Sequence, residues 1–393
     1  MKKRFAFVLL GWLTLLMVAC DTEVELCEEY EHPHAVSVEY NFSWGGINPN
    51  ELNDSMMIVA TRVIDLWKSS ARVSSTGSPS EGTYLWNAPK EITDTVADIN
   101  TFNTSWFKLR RGEYKFVTFN RNDEEIDYEN VDHYMRNDAM PMSELNAVYK
   151  SYPKNDPHLK LLLPDWTDYN GYSDYMQPSS HPIYYDTLTY SIREKYLHRI
   201  LFHNLRRLTQ RITLKFDILK DSPQQPFTID SVFVEMSGLP YVINLASGYI
   251  DITKTKKMMF KAKFAQDTET SKKVSCSAIM DVPSIVKSES DDLYMGPGIM
   301  QVMICCSAVD PDDPTQRRNK KFQGIINLFH TLERANLIRL TEDGQHALRN
   351  MEEAVLVINA EMVVDGEKVL ESSDDNGGLD VWKRADSSIV VDI

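Results

Sequence analysis

Leu205-Arg206-Arg207-Leu208-Thr209-Gln210-Arg211-Ile212-Thr213-Leu214-Lys215-Phe216-Asp217-Ile218 passes from an irregular start into strict alternation, with Ile212, Leu214, Phe216 and Ile218 apolar and Thr213, Lys215 and Asp217 polar between them. Successive side chains of a β-strand point to opposite faces, so a period of two sets one face against a core and the other in water. On a helix, residues two apart lie on opposite sides, and the same pattern would leave no continuous apolar stripe.

The pattern repeats on both sides of this run. Downstream, residues 229–240, 258–264, 274–280, 299–307, 322–329 and 354–364 read as strands, and 387–393 forms an apolar, alternating tail. Upstream, residues 35–44, 56–63, 105–107 and 112–120 do the same. Each run is short and bounded by Asn, Asp, Gly, Ser or Pro, the residues that turn a chain. Strands at this spacing, with few helical runs between them, predict an all-β protein of antiparallel β-sandwiches. Only residues 341–353 compete for helix, with a turn or two expected there. Residues 123–182, rich in Tyr, Asn, Asp and Pro, read as long decorated loops.

With 393 residues the chain exceeds what one core usually holds, so two domains are expected. The divisions read from the pattern are a signal peptide at 1–19, a tether at 20–34, an N-terminal β-sandwich with long loops at 35–195 and a C-terminal β-sandwich at 196–393.

The first residues carry their own message. Met1-Lys2-Lys3-Arg4 is a basic head, residues 5–18 are almost wholly apolar, and Ala19-Cys20 closes the run. That is an export signal, and its apolar part falls short of the roughly 20 residues a membrane-spanning helix needs. Leu16-Met17-Val18-Ala19-Cys20 resembles the lipobox of bacterial lipoproteins, with Met17 where Leu is commoner. Cleavage before Cys20 and acylation of its thiol are expected, and two or three acyl chains anchor a protein durably. Loss of Lys2, Lys3 and Arg4 with the signal takes the formal charge from −15 to about −18. Such a field repels phosphate backbones, which argues against nucleic acid as a partner and leaves the lipid as the membrane contact.

The other cysteines, Cys27, Cys276, Cys305 and Cys306, are too sparse for a disulfide scaffold and show no zinc spacing. Cys276 and Cys305 lie in strand-like runs, where either a bridge or free buried thiols fit the sequence.

Three segments together resemble a known family. Leu109-Arg110-Arg111-Gly112-Glu113-Tyr114-Lys115-Phe116-Val117-Thr118-Phe119-Asn120 resembles a strand pair of the fimbrillin-type proteins of the Bacteroidetes. Ile212 to Ile218, followed by Val232-Phe233-Val234-Glu235-Met236-Ser237-Gly238-Leu239-Pro240, resembles the opening of that group's second domain. With the lipobox and the Leu26-Cys27 to His32-Pro33-His34 lead-in, the layout is similar to the lipoprotein branch of minor fimbrium anchoring subunits. The resemblance implies two transthyretin-like, Greek-key β-sandwiches in tandem. It also implies a lipid-anchored, surface-exposed place on the outer membrane and a structural or adhesive role beside fimbrial subunits or other surface proteins. Subunits of that group join by strand addition to an open sheet edge. Stalk subunits are trimmed after a basic residue, whereas Arg110-Arg111 and Arg206-Arg207 sit inside expected structure, which favours an anchor over a stalk.

No motif selects an enzyme: Gly-x-Ser-x-Gly is absent, and no spacing picks out a Ser/His/Asp set. No cofactor is expected. His32 and His34 lack further ligands for a metal. Asp310-Pro311-Asp312-Asp313-Pro314 lacks the glycine and terminal glutamate of a calcium loop and reads as a strand connection. The aromatic run Trp166-Thr167-Asp168-Tyr169-Asn170-Gly171-Tyr172-Ser173-Asp174-Tyr175 offers flat rings beside carboxylates and carboxamides, which suit sugar faces and protein partners alike. Trp166, Tyr169, Tyr172 and Tyr175 are the candidate ligand-binding residues, with loop packing as the plain alternative. They support a second function, a carbohydrate-binding surface lipoprotein of a glycan-uptake system.

Overall fold

The computed structural model describes residues 36–44, 55–63, 68–74, 79–86, 106–109, 112–136, 140–154, 156, 173–179, 181–192, 199–221, 226–287, 297–365, 379–381 and 388–392. In the first half the strands are β1 (Val36–Ser43), β2 (Ser55–Arg62), β3 (Lys68–Ser74), β4 (Pro79–Trp86), β5 (Trp106–Leu109), β6 (Gly112–Arg121), β7 (Ile126–Glu129), β8 (Asn146–Tyr149), β9 (Tyr184–Ile192), β10 (Arg199–Asn204) and β11 (Arg206–Arg207). In the second they are β12 (Gln210–Asp221), β13 (Phe227–Pro240), β14 (Val242–Asn244), β15 (Ile250–Asp251), β16 (Thr255–Lys261), β17 (Lys263–Phe264), β18 (Lys273–Val282), β19 (Ile299–Val309), β20 (Arg317–Asn327), β21 (Ile338–Leu340), β22 (His346–Arg349), β23 (Glu353–Asp365), β24 (Leu379–Val381) and β25 (Ser388–Asp392). Two short α-helices accompany them, α1 (Val131–Arg136) and α2 (Phe329–Ala335). The chain is all-β, as the alternation predicts.

The first sandwich faces sheet β10-β1-β5 against sheet β11-β9-β6-β2-β3-β4. Trp44, Met56, Ile58, Tyr114, Phe116, Tyr184 and Leu205 fill the space between them. The other face of the larger sheet is also covered, since Met57, Val59, Val117 and Phe119 belong to the second, larger core. Residues 56–60 are accordingly buried without a break, which is why that strand reads as a continuous apolar run. Strands β10 and β11, beyond residue 195, complete these two sheets.

The second sandwich faces sheet β17-β18-β12-β23-β25 against sheet β16-β13-β19-β20-β24. Ile212, Leu214, Phe216 and Ile218 point into its core, while Thr213, Lys215 and Asp217 lie half-buried or exposed. Most pairings are antiparallel, but β1 with β10, β12 with β23 and β20 with β24 run parallel. The expected antiparallel sandwiches are found, with these three parallel pairings as exceptions. In each case a long crossover separates the partners, and local alternation carries no record of direction.

Residues 123–182, expected as loops, hold β7, α1 and β8. The two strands join β14, β15, β22 and β21 in a sheet of order β21-β22-β15-β14-β8-β7. Residues 341–353, the expected helix, instead form a hairpin turn and strand β22. Asp343 accepts hydrogen bonds from the Thr341 hydroxyl and from the Gln345 and His346 backbone, and Gly344 takes φ +66°, conditions that favour a turn over helix. Residues 322–329, expected as strand throughout, leave the sheet after Asn327 because α2 starts at Phe329.

Asn244, at the end of β14, ties the turn after its own strand to the turn before β8. Its Nδ2 donates to the carbonyls of Ser143 at 2.9 Å and Leu145 at 3.0 Å, and its Oδ1 accepts from the Ala246 N–H at 3.0 Å and from the Ser247 N–H and hydroxyl at 2.8 Å. Asn244→Ala is expected to cost about 2 kcal/mol, since each such bond contributes about 1 kcal/mol and some orphaned groups regain water. Urea unfolding of the two proteins checks this.

Cys276, Cys305 and Cys306 are free thiols. Burial, and then the Asp217 carboxylate, pushes the Cys276 thiol up to about 12. Burial above all holds Cys306 well above the ordinary thiol range. The thiolate is the reactive form. Iodoacetamide at pH 8 is therefore expected to leave Cys276 and Cys306 unmodified in the native protein and to alkylate both in urea. Peptide mass spectrometry reads each site, and fast native labelling of Cys276 would contradict this packing.

Candidate interaction surface

The outer face of sheet β16-β13-β19-β20-β24 carries Phe233, Met259 and Met303, apolar residues that would otherwise meet water. Two described stretches, residues 150–154 and 173–177, cover them. Tyr152 and Tyr175 pack on this face, and the Tyr152 hydroxyl donates to the Met259 carbonyl at 2.9 Å. The Tyr175 hydroxyl donates to Glu235 Oε2 at 2.6 Å, while Glu235 Oε1 pairs with Lys257 at 3.0 Å. The Tyr152 N–H donates to the Tyr175 carbonyl and joins the two stretches, and the Met176 N–H donates to the Lys257 carbonyl and attaches them to the edge strand β16. A bare strand edge invites pairing with other chains, and this cover occupies part of it.

Both faces of β13 are thereby buried, which explains the unbroken burial of residues 232–240. Tyr175 is 2% exposed. A ring so enclosed has no free face for a sugar, and its role here is packing. The other aromatic candidates, Trp166, Tyr169 and Tyr172, lie outside the described residues, as do Cys20, His32, His34 and the pair Arg110-Arg111. Sequence reasoning had no means of pairing Tyr175 with Glu235, which lies 60 positions further on.

Arg206 and Arg207 form the edge strand β11. Arg207 donates to Glu353 at 2.8 Å and lies 8% exposed, so it is enclosed by its partners. The loop at Asp310–Asp313 uses its carboxylates internally: Arg318 donates to Asp310 at 2.8 Å and to Asp312 at 3.1 Å, and Asp313 accepts from Thr315. Among the described residues no group of three or more His, Cys, Asp or Glu is placed to hold a metal ion.

The apolar tail at the end of the sequence is strand β25. It pairs antiparallel with β23 through five residue pairs, from Val355↔Asp392 to Asn359↔Ser388, and forms one edge of its sheet. No helix among the described residues is long and apolar enough to cross a membrane.

No family model matches the chain, and no curated protein matches it. Solved structures of similar layout include the fimbrial anchor protein Mfa2 from Porphyromonas gingivalis, at 11% identity over 83% of this chain and 90% of that one, with a TM-score of 0.40. A candidate adhesin from Bacteroides ovatus is similar at 12% identity over 73% of this chain and 82% of that one, with a TM-score of 0.39. A candidate polysaccharide-binding protein from Bacteroides thetaiotaomicron is similar at 9% identity over 82% and 90%, with a TM-score of 0.38.

Proposed function

We propose that the protein is a lipid-anchored structural and adhesive component of the outer cell surface, a fimbrial anchor or minor fimbrial subunit that joins its partner by strand addition. The observation that carries this reading is the export signal ending in Leu16-Met17-Val18-Ala19-Cys20, placed ahead of a chain built from β-sandwiches. Acylation of Cys20 fixes one end to a membrane, and sandwiches with ladder edges supply the other requirement, a surface to which a foreign strand can hydrogen-bond. Strand β25 supports the assembly mode, because a short edge strand held by five pairs is cheap to exchange for a partner's.

Replacing Cys20 with Ala tests the reading. Intact cells carrying the wild-type protein are expected to lose it to added protease and to keep fibres attached. The Cys20→Ala variant is expected to leave the membrane fraction and to release fibres into the medium. Membrane retention and fibre attachment unchanged in Cys20→Ala would overturn the proposal.

A further inference from the structure

Strands β6 and β9 and the turn that follows β14 enclose an open cleft of about 350 Å³, at the small end of the range for ligand pockets. Its floor is a stretch of sheet at the margin of the large core, which takes in Val117. There the cross-strand pairs Lys115↔Thr189 and Val117↔Thr187 lie side by side, with Lys115, Thr187 and Thr189 exposed. Facing them are Ser143 and Ser247, exposed residues on two separate loops. Those loops are tied to each other by Asn244, whose amide bonds the Ser143 carbonyl on one side and the Ser247 N–H and hydroxyl on the other. The walls are therefore set before any ligand arrives, which lowers the ordering cost of binding.

The cleft differs in charge from the rest of the molecule. The chain carries 57 Asp and Glu against 42 Lys and Arg, yet among the described residues no carboxylate lines this space and Lys115 is its one charged group. Lys115 makes no ion pair among the described residues. The hydroxyls of Ser143, Thr187 and Thr189 share the lining as donors and acceptors, that of Ser247 is left as an acceptor because it donates to Asn244, and the half-buried Met142 and Ala246 add apolar surface. We propose that the cleft binds an acidic saccharide of one or two rings, its carboxylate against Lys115 and its hydroxyls against Ser143, Thr187, Thr189 and Ser247. The rings' C–H faces rest on Met142 and Ala246. The site is separate from the strand-addition reading and does not depend on it.

Calorimetry or saturation-transfer NMR on the full chain, with D-glucuronate, D-glucose and acetate as probes, tests the assignment. D-Glucuronate is expected to bind in the millimolar range, and D-glucose and acetate each about tenfold more weakly. Lys115→Gln is expected to weaken D-glucuronate about tenfold and to leave D-glucose unchanged. Thr187→Val with Thr189→Val is expected to weaken both sugars, and β-branched residues at these strand positions keep the sheet. Lys215→Gln, exposed in the other sandwich, serves as the control. Absence of D-glucuronate binding, full binding by Lys115→Gln, or acetate binding as tight as D-glucuronate would each overturn the proposal.

Discussion

Asp267→Ala is expected to destabilise the protein by about 3–5 kcal/mol, the cost of leaving one member of a buried ion pair without its partner. Lys220 and Asp267 lie 2.9 Å apart with side chains 4% and 0% exposed. The Lys220 ammonium also donates to the carbonyls of Phe227 and Thr268, and Asp267 Oδ2 accepts from the Ile229 N–H at 2.8 Å. The pair thus straps the end of β12, in one sheet of the second sandwich, to the start of β13 in the other. Without the carboxylate, a charged group stays in a dry site facing two carbonyl oxygens. A double replacement, Lys220→Met with Asp267→Leu, removes both charges and is expected to recover most of the loss, because a buried pair exchanged for apolar residues is often near neutral. Urea unfolding of the single and double variants gives the coupling directly. A loss below about 1 kcal/mol for Asp267→Ala would mean that water reaches the pair.

Gly238→Ala is expected to cost at least about 3 kcal/mol, the sum of a disfavoured backbone and an overpacked contact. Gly238 has φ +72°, the left-handed region, at the irregularity where the pairing of β13 with β16 shifts between Met236 and Leu239. A Cβ there would stand 2.5 Å from the Gly298 nitrogen, 2.7 Å from the Pro297 Cα and 2.7 Å from the Val286 carbonyl. All three are backbone and cannot swing aside. The same spot is held by the Val286 N–H donating to the Gly238 carbonyl and by the Ser237 hydroxyl donating to the Ile299 carbonyl. Gly344 provides the comparison: its φ is +66°, but nothing lies within 4 Å of its Cβ position. Gly344→Ala is expected to cost about 1 kcal/mol, the backbone part alone. Thermal denaturation of both variants separates the contact from the conformation. Equal losses would remove the argument from packing.

How far the sequence could be read depended on the range of the interactions involved. Strand β12 was legible because its period of two reflects one buried face and one wet face, a local property. Strand β13 was legible as a strand, but its burial on two sides was not, since the second cover comes from Tyr152 and Tyr175, far away in the chain. Four-residue strands such as β7 and β8 are too short to display a period, and β14, the second partner of β8, lies about a hundred positions on. The helix expected at 341–353 failed on a polar segment with no apolar stripe, where the turn chemistry of Asp343 and Gly344 decided the outcome.

The functional candidates divide in the same way. Rings in a row drew attention to Tyr175, yet whether a ring is offered or enclosed depends on what packs over it. The cleft residues Lys115, Thr187 and Thr189 are ordinary outward-facing polar residues of strands, and nothing in their local sequence sets them apart. The one usable signal was Asn244-Leu245-Ala246-Ser247-Gly248, a turn sequence whose amide joins two loops.

The parallel pairing of β1 has a mechanical consequence. This strand is the first among the described residues and lies between two partners, matched with β10 from Val38↔Arg199 to Ser43↔Asn204 and with β5 from Val36↔Leu109 to Glu39↔Trp106. A pull arriving at Val36 along the strand axis, as from a chain tethered in a membrane, strains the rungs on both sides together. Shearing many bonds at once takes far more force than peeling them in succession, so a molecule held at this end would resist flow without any covalent cross-link.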